Sequence, residues 1–229
     1  MLSQEIKKSS GFILVNKPSG PTSHDIINQM RRITGIKKIG HAGTLDPFAS
    51  GLLIVAIGRE ATREIDKFVK MDKEYIATLY LGAVSDTHDR EGKILDFRFK
   101  ILDLDTIKNT LVKFIGEQKQ VPPMFSAKKV KGKKLYELAR QGIEIEREPV
   151  DINIYSIDFL EYEWPLLKIK VRSSSGTYIR SLAYDIGEKL GCGAYLEELE
   201  RTAIGEFRIE NAITAEGVNN ENWQNYLFL

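Results

Sequence analysis

The sequence has 229 residues, of which 42% are hydrophobic and 28% are charged, with a formal net charge of +1. This composition is typical of a soluble globular chain, and its longest apolar runs fall far short of the roughly 20 residues that a membrane-spanning helix needs. A single cysteine, Cys192, excludes an intrachain disulfide and is typical of a reducing compartment, so we expect a cytoplasmic protein. The three histidines and one cysteine show no metal-ligand spacing, so no metal site is predicted.

The first elements along the chain are a strand, a turn and an amphipathic helix. Phe12 to Val15 is a short apolar run that predicts a strand, and a turn rich in proline and glycine follows it. Thr22 or Ser23 can cap a helix, and Gly35 stands where a left-handed C-terminal cap belongs. The buried stripe of this helix is predicted to contain Ile26, Ile27, Met30 and Ile33.

A glycine-rich stretch from Gly40 to Gly51 carries one carboxylate, Asp46, and one imidazole, His41. Pro47 disfavours the α region for Asp46. The apolar run that follows, 52–57, is typical of a buried strand, although its periodicity also fits a buried helix segment. A carboxylate on a rigid loop beside a buried element is suited to catalysis, whereas the alternative is an ordinary turn between two core elements.

The central part of the chain predicts several further elements around a polar loop and an extended segment. The loop at 85–92 contains acids and His88 but lacks the ligand spacing of a calcium loop, so we do not predict a metal there. Paired prolines make 120–126 extended. The other predictions are helices over 60–69, from Asp103 or Asp105 to Ile115 and over 135–140, and strands over 74–81, 150–159 and 166–172.

The last predicted helix carries an unusual arginine. Serines and a threonine at 173–177 offer caps, Gly191 ends the helix, and its buried stripe consists of Ile179, Leu182, Ala183, Ile186 and Leu190. Arg180 lies in the first turn, off this stripe, where the helix dipole disfavours a cation, so we expect an anionic partner for it. With a final strand over 204–209, the pattern predicts an α+β fold with a mixed, largely antiparallel sheet and flanking helices.

Two clusters of basic residues stand out from the balanced overall charge. Five lysines fall within the seven residues from Lys128 to Lys134, and Arg31, Arg32, Lys37 and Lys38 form a second cluster. Each cluster is either a solvated surface or a phosphate-binding patch. The density of the first cluster, and the Met-Phe pair just before it, favour nucleic-acid binding there.

Four motifs together resemble the TruB family of tRNA pseudouridine synthases. They lie at 17–25, at 40–51, at Lys73-Glu74-Tyr75 and at 175–182, and the resemblance extends to 120–128 and 191–194 in the family's order. This resemblance implies the pseudouridine synthase fold and a reaction that needs no cofactor. The reaction it implies is the isomerisation of uridine 55, in the T loop of tRNA, to its C-glycoside.

The resemblance also implies roles for individual residues. Asp46 matches the catalytic nucleophile, Arg180 the arginine that pairs with it, and Tyr75 the tyrosine beneath the target base, which the enzyme flips out of its stack. His41 matches the histidine that enters the space left in the T loop. Further candidates for substrate binding are Tyr178, Leu199, Lys17, Gly43, Thr44, Lys128, Lys129 and Lys131.

The C-terminal end departs from the family pattern. TruB proteins usually continue into a small RNA-binding domain of the PUA type, whereas 20 residues follow Ile209 here, too few for an independent domain. We therefore expect a single catalytic domain over 1–229, with an RNA-binding insertion around 120–145 and no PUA domain. The tail is expected to pack back on the body or to end in a short helix.

Two other functions stay open beside this one. A tRNA-folding chaperone would bind the same T arm, although Asp46, Tyr75 and Arg180 together favour catalysis. A pseudouridine synthase for another stem-loop RNA would use the same residues. A P-loop enzyme is excluded because the glycine loop lacks the Lys-Ser/Thr pair. The expected partner is tRNA, bound by a monomer that needs neither a protein partner nor a membrane.

Overall fold

A computed structural model describes residues 10–96, 101–126, 128–130, 132–139 and 141–229. The helices are α1 (Ser23–Thr34), α2 (Gly58–Arg63), α3 (Asp66–Val69), α4 (Leu104–Val112), α5 (Leu135–Ala139) and α6 (Ile179–Leu190). Three short 3₁₀ turns follow near the C-terminal end, at Ile209–Asn211, Ala215–Gly217 and Trp223–Tyr226. None of the helices in the described ranges is long and apolar enough to cross a membrane.

Strands make up most of the remaining regular structure. They are β1 (Gly11–Lys17), β2 (Ile39–His41), β3 (Ser50–Ile57), β4 (Lys73–Leu81), β5 (Ala83–Ser85), β6 (Ile94–Asp96), β7 (Gly116–Gln120), β8 (Lys129–Val130), β9 (Lys133–Lys134), β10 (Val150–Glu163), β11 (Leu166–Ser173), β12 (Ala194–Ile204), β13 (Phe207–Arg208) and β14 (Ile213–Thr214). The chain divides into two compact units, one formed by 1–71 with 200–229 and the other by 72–199.

The first unit is built around β1 and β3, which pair antiparallel along their whole length. β14 adds to β1 in parallel, β2 pairs antiparallel with β3, and the end of β12 pairs with β3 in parallel. One face of this sheet is covered by α1 and by Trp223 of the tail, and the other face by Phe68. Because both faces are buried, the run 51–57 is continuously apolar rather than alternating.

The second unit contains an antiparallel sheet in which β4 and β10 flank β11, and β7 pairs with the other side of β10. The beginning of β12 lies beside β4. α6 contacts β4, while α4 contacts both α6 and β10. The inner side chains of the sheet alternate along the strands, which fits a half-buried sheet; they include Ala77, Leu79, Leu167, Ile169 and Val171, all fully buried. The mixed, largely antiparallel α+β fold predicted from sequence is confirmed.

Several predicted boundaries are correct. α1 is capped by Thr22 and ends at Gly35 in the left-handed conformation. α4 is capped by Asp103, and α6 ends at Gly191 as predicted. The tail packs back on the first unit, where Phe228 pairs with Phe12 through backbone hydrogen bonds of 2.8 and 2.9 Å.

Other predicted boundaries are wrong, for local reasons. The helix predicted over 60–69 is two short helices, α2 and α3, separated near Glu64 and Ile65. α4 ends at Val112, before the predicted Ile115. The serines and threonine at 173–177 do not cap α6 through their side chains: its N-cap is Tyr178, without a side-chain cap bond. The final strand is shorter than 204–209, because 205–206 form the turn between β12 and β13.

Candidate active site

The loop that carries Asp46 is held from the side of α1. Ser23, at the start of that helix, is buried, and its Oγ both accepts from the Leu45 amide at 2.9 Å and donates to the Leu45 carbonyl at 3.0 Å. Ser19 Oγ donates to the Phe48 carbonyl at 2.7 Å. Phe48 itself is buried. The backbone on both sides of Asp46 is therefore fixed, which is the local rigidity that a reacting carboxylate requires.

Lys17 is placed inside the protein at the end of β1. Its side chain is 0% exposed, and its Nζ donates to the carbonyl oxygens of Pro18 and Pro21 at 2.8 Å each and of Pro47 at 3.3 Å. A buried ammonium is tolerated only where such acceptors surround it. The burial ties Pro47, the residue that follows Asp46, to the end of β1, which suits Lys17 to positioning the loop. Its predicted part in substrate binding stays a prediction.

Arg201 supports the same loop from β12, and it was not predicted from the sequence. The side chain is 1% exposed. Its Nη2 donates to the Gly43 carbonyl at 3.1 Å and its Nε to the Leu52 carbonyl at 2.8 Å. Gly51 sits against the Arg201 backbone so closely that a Cβ there would lie 2.4 Å from its carbonyl oxygen. No local signal in the sequence indicated this role, because the partners of Arg201 lie 149 and 158 positions away along the chain.

The other loop candidates differ in exposure. Thr44 is exposed, whereas Gly43 is partly buried. Gly43 also has a φ of 84°, a left-handed conformation that favours glycine. His41 is partly buried at the end of β2, and its Nδ1 has no hydrogen-bond partner among the described residues. Burial lowers the pKa of His41, and the nearby charges of Arg201 and His24 lower it further. A backbone hydrogen bond with Gly43 has the opposite, smaller effect on this pKa, so the net shift favours the neutral ring.

Arg180 and Asp89 form a buried ion pair in the second unit. The two side chains are 5% and 6% exposed, and Arg180 Nη1 lies 3.2 Å from Asp89 Oδ2. Arg180 also donates to the carbonyl oxygens of Thr87 at 3.2 Å and Phe125 at 2.6 Å. The anionic partner expected for Arg180 is thus present, but the prediction that this arginine lies off the buried side of α6 is wrong. Burial is tolerated because a carboxylate and two carbonyls receive its donors.

The polar loop at 85–92 organises the carboxylate of Asp89. Thr87 Oγ1 donates to Asp89 Oδ1 at 2.6 Å, and the Glu91 amide donates to the same oxygen at 3.0 Å. The loop is tight, since a Cβ on Gly92 would clash with three side chains of the same loop. The sequence predicts no metal site in this loop, and it does not display the link to Arg180 because the contact joins residues 91 positions apart.

Tyr75 and Leu199 lie in strands of the second unit. Tyr75 is in β4, opposite Val171 of β11, and is 9% exposed. Leu199 is in β12 and is similarly buried, at 8%. The sheet thus fixes the backbone of both residues.

Tyr178 is held at the start of α6 by Gln120, the first residue of the extended segment 120–126. The Tyr178 amide donates to Gln120 Oε1 at 2.8 Å, and Gln120 Nε2 donates to the Tyr178 carbonyl at 3.0 Å. Ser181 Oγ in turn donates to the Val121 carbonyl at 3.2 Å. The extended segment 120–126 is therefore bound along the beginning of the helix that carries Arg180.

The lysine-rich segment contains a small hairpin. β8 pairs with β9, so that Lys129 lies opposite Lys134 and Val130 opposite Lys133. Lys128 precedes the hairpin and is partly buried. Lys131 lies outside the described residues.

The predicted site residues therefore fall into two groups. The first unit holds Asp46, His41, Lys17, Gly43 and Thr44 on or beside one immobilised loop. The second unit holds the other described candidates, and it joins Arg180 to Asp89. They lie on strands (Tyr75, Leu199), at the start of α6 (Tyr178, Arg180) and in or just before the lysine hairpin (Lys128, Lys129).

Comparison with known proteins gives consistent matches over nearly the whole chain. Residues 31–179 match the model of the TruB family pseudouridylate synthase (N terminal domain), and residues 180–227 match that of the tRNA pseudouridylate synthase B C-terminal domain. The tRNA pseudouridine synthase B of Protochlamydia amoebophila is 53% identical over 89% of this chain and 77% of that protein. The enzyme of the same name from Chlamydia felis is 49% identical over 93% and 89%.

A solved structure shares the fold as well. The structure described as a Cbf5-Nop10-Gar1 complex aligns with a TM-score of 0.72 and 33% identity over 92% of this chain. The chain spans about half the length of that relative, 54%.

Proposed function

The chain belongs to the TruB family of pseudouridylate synthases, and on that premise we propose that it isomerises uridine 55 in the T loop of tRNA to pseudouridine. The observation that carries the proposal is the loop of Asp46, whose backbone is held by Ser23, Lys17 and Arg201. A loop fixed by so many buried donors is unnecessary for a simple turn between strands. It fits a carboxylate that must be held at one place relative to a sugar carbon.

The reaction requires the target base to leave its stack before its bond to ribose is exchanged. In the proposed mechanism the bond from the ribose C1′ to N1 of uracil breaks, the base rotates, and a bond from C1′ to C5 forms. N1 then gains a proton, and C5 releases its hydrogen to solvent. The carboxylate of Asp46 serves either as the nucleophile at the ribose or as the group that promotes elimination to a glycal.

Arg180 is proposed to stabilise negative charge that develops during this exchange. A guanidinium suits the task better than an ammonium because it is always ionised and holds acceptors in a fixed plane. Its anchoring to Asp89 and to the Phe125 carbonyl supports this role, because a pre-positioned cation does not reorganise during the reaction. Gln120 and the segment 120–126 then serve to hold the start of α6.

Tyr75 is proposed to lie beneath the flipped base and to use its hydroxyl in proton transfer. Stacking alone would survive in Tyr75→Phe, whereas general acid–base catalysis contributes roughly 10²–10⁴-fold. We therefore expect Tyr75→Phe to lower the single-turnover rate by more than about a hundredfold with little change in tRNA affinity. A near-normal rate would leave the ring as the only contribution of Tyr75.

We propose that the chain binds the T arm of tRNA by itself, as a monomer. His41, which is partly buried at the end of β2, is proposed to enter the T loop, as the resemblance to the family implies. Lys128 and the lysine hairpin supply the phosphate contacts. Sedimentation of the protein with one equivalent of tRNA transcript tests the stoichiometry, and a complex with two protein chains per tRNA would contradict it.

The position of the modified base is tested by comparing two transcripts. The first is an unmodified tRNA, and the second is the same tRNA with cytidine at position 55; tritium at C5 of the uridines reports each turnover. Release from the first transcript only would support position 55. Equal release from both would show that another uridine, or another RNA, is the substrate. Binding without release from either would favour the chaperone function.

A further inference from the structure

The ring of His88 is stacked on the ring of Tyr184. Their centroids are 4.3 Å apart, and the two planes differ by 10°. Tyr184 lies on α6 four residues after Arg180, so the two side chains share one side of that helix. His88 directly precedes Asp89, the carboxylate that pairs with Arg180. Two neighbouring residues of the 85–92 loop thus meet two residues one helical turn apart.

The backbone at His88 is held in an unfavourable conformation. In the described part of the chain, His88 is the only non-glycine residue with a positive φ, at 63°. A residue with a Cβ adopts this backbone region at a cost in conformational free energy, and it stays there only when the surrounding structure holds it. The amide of His88 donates to the Ser85 carbonyl at 3.0 Å, and its carbonyl accepts from the Leu196 amide at 3.0 Å.

These contacts determine where Asp89 points. The Arg90 amide donates to the Leu196 carbonyl at 3.1 Å, so the backbone is tied to β12 on both sides of Asp89. The tie to β12 fixes the loop along that strand. The stack of His88 on Tyr184 fixes it along α6, at the level where Asp89 reaches Arg180.

From this arrangement we propose that His88 and Tyr184 are a pair of positioning residues that hold Asp89, and through it Arg180, in place for the reaction. The inference rests on the proposed function, since it takes Arg180 to stabilise charge during isomerisation. Neither ring is assigned contact with the RNA. The pair acts only through the ion pair of Asp89 and Arg180.

The charges around His88 support the arrangement. The pKa of His88 is lowered to about 4, mainly by burial and to a smaller extent by the neighbouring cations of Arg180 and Arg147. The carboxylates of Asp89 and Asp86 have the opposite, weaker effect. A neutral ring does not compete with Arg180 for the carboxylate of Asp89. Protonation would place a third cation beside the two arginines.

The test is a double-mutant cycle on the single-turnover rate of tritium release from a C5-labelled tRNA transcript. Tyr184→Leu removes the ring, Tyr184→Phe keeps it, and each is measured in the wild type and in Asp89→Asn. Tyr80→Leu is the matched control, because Tyr80 stacks on Tyr195 elsewhere in the same unit, with centroids 5.1 Å apart. The dissociation constant for tRNA is measured for every variant.

We expect Tyr184→Leu to lower the rate roughly tenfold, the upper range for removal of one aromatic pair, with tRNA affinity unchanged. Tyr184→Phe and Tyr80→Leu should stay within about twofold of the wild type. In the Asp89→Asn background, Tyr184→Leu should have almost no further effect, because residues that act through one group are not additive.

Equal reductions of the rate in both backgrounds would overturn the proposal, as would an unchanged rate in Tyr184→Leu or an effect confined to tRNA affinity. A large reduction in Tyr184→Phe would overturn it as well, because that variant keeps the stack. Absence of release by the wild type would instead contradict the proposed function, so the two failures are distinguishable.

Discussion

Replacement of Asp89 by asparagine removes the charge that balances buried Arg180 while keeping the shape of the side chain. Asp89 accepts hydrogen bonds from Arg180, Thr87 and Glu91, at 3.2, 2.6 and 3.0 Å. Breaking a buried pair by removing one partner costs about 3–5 kcal/mol, because the other charge stays buried. Arg180 keeps its carbonyl acceptors in this variant, so we expect the free energy of unfolding to decrease by about 3 kcal/mol, the lower end of that range.

That decrease is measurable by thermal unfolding. For a chain of this size, 1 kcal/mol corresponds to a shift of about 2–4 °C, so Tm should fall by about 6–12 °C in Asp89→Asn. A small misplacement of a catalytic group lowers rates by about a hundredfold, and we expect a reduction of that order in single-turnover tritium release.

Asp86→Asn is the matched control for this variant. Asp86 belongs to the same loop but is exposed, and its carboxylate accepts a hydrogen bond from the Lys93 amide at 2.8 Å. The substitution should leave both Tm and rate nearly unchanged. If Asp89→Asn behaved like Asp86→Asn in both measurements, the buried ion pair would have no part in stability or catalysis, and the reasoning would be refuted.

Three further predictions concern other parts of the molecule. Lys17→Met leaves three carbonyls without their donor, so it should lower the free energy of unfolding in urea by about 2–3 kcal/mol. It should also reduce the rate of tritium release and leave tRNA affinity unchanged. Weakened affinity with normal stability would instead show that Lys17 contacts the RNA. Replacing the lysines of Lys128–Lys134 should flatten the slope of log affinity against log salt by roughly 0.7–0.9 for each phosphate that is no longer neutralised, and an unchanged slope would place the hairpin away from RNA. His88 has a folded pKa below its reference value, so the unfolded state binds more protons as pH falls from 6.5 toward about 4 and stability is lost in that window. When the pH is lowered from 7 to 5, the wild type should therefore lose about 2 kcal/mol more free energy of unfolding than His88→Asn does. Equal losses in the two proteins would contradict the lowered pKa of His88.

The sequence predicted elements whose signals are local. The cap at Thr22, the glycine at 35 and the apolar stripe of α1 lie within one short stretch, and the structure has them as predicted except that Ile33 is only partly buried. β12 was not predicted, because its leucines, glutamates and alanines are good helix formers. Its strand conformation comes from pairing with distant strands, which the sequence does not display.

The site shows the same division between local and distant signals. The loop of Asp46 could be predicted because its residues are contiguous, and the resemblance to the TruB family identified the remaining candidates. The residues that hold the candidates could not be predicted in the same way. Asp89, Arg201 and Gln120 are joined to their partners only by the fold, across 58 to 158 positions.

The central claim is that this chain isomerises a uridine in tRNA with the carboxylate of Asp46. The most direct measurement is tritium release from a C5-labelled, unmodified tRNA transcript, comparing the wild type with Asp46→Asn at equal, saturating protein. We predict stoichiometric release by the wild type and none by Asp46→Asn, with both proteins binding the tRNA. Release by Asp46→Asn at the wild-type rate, or no release by the wild type despite binding, would contradict the claim.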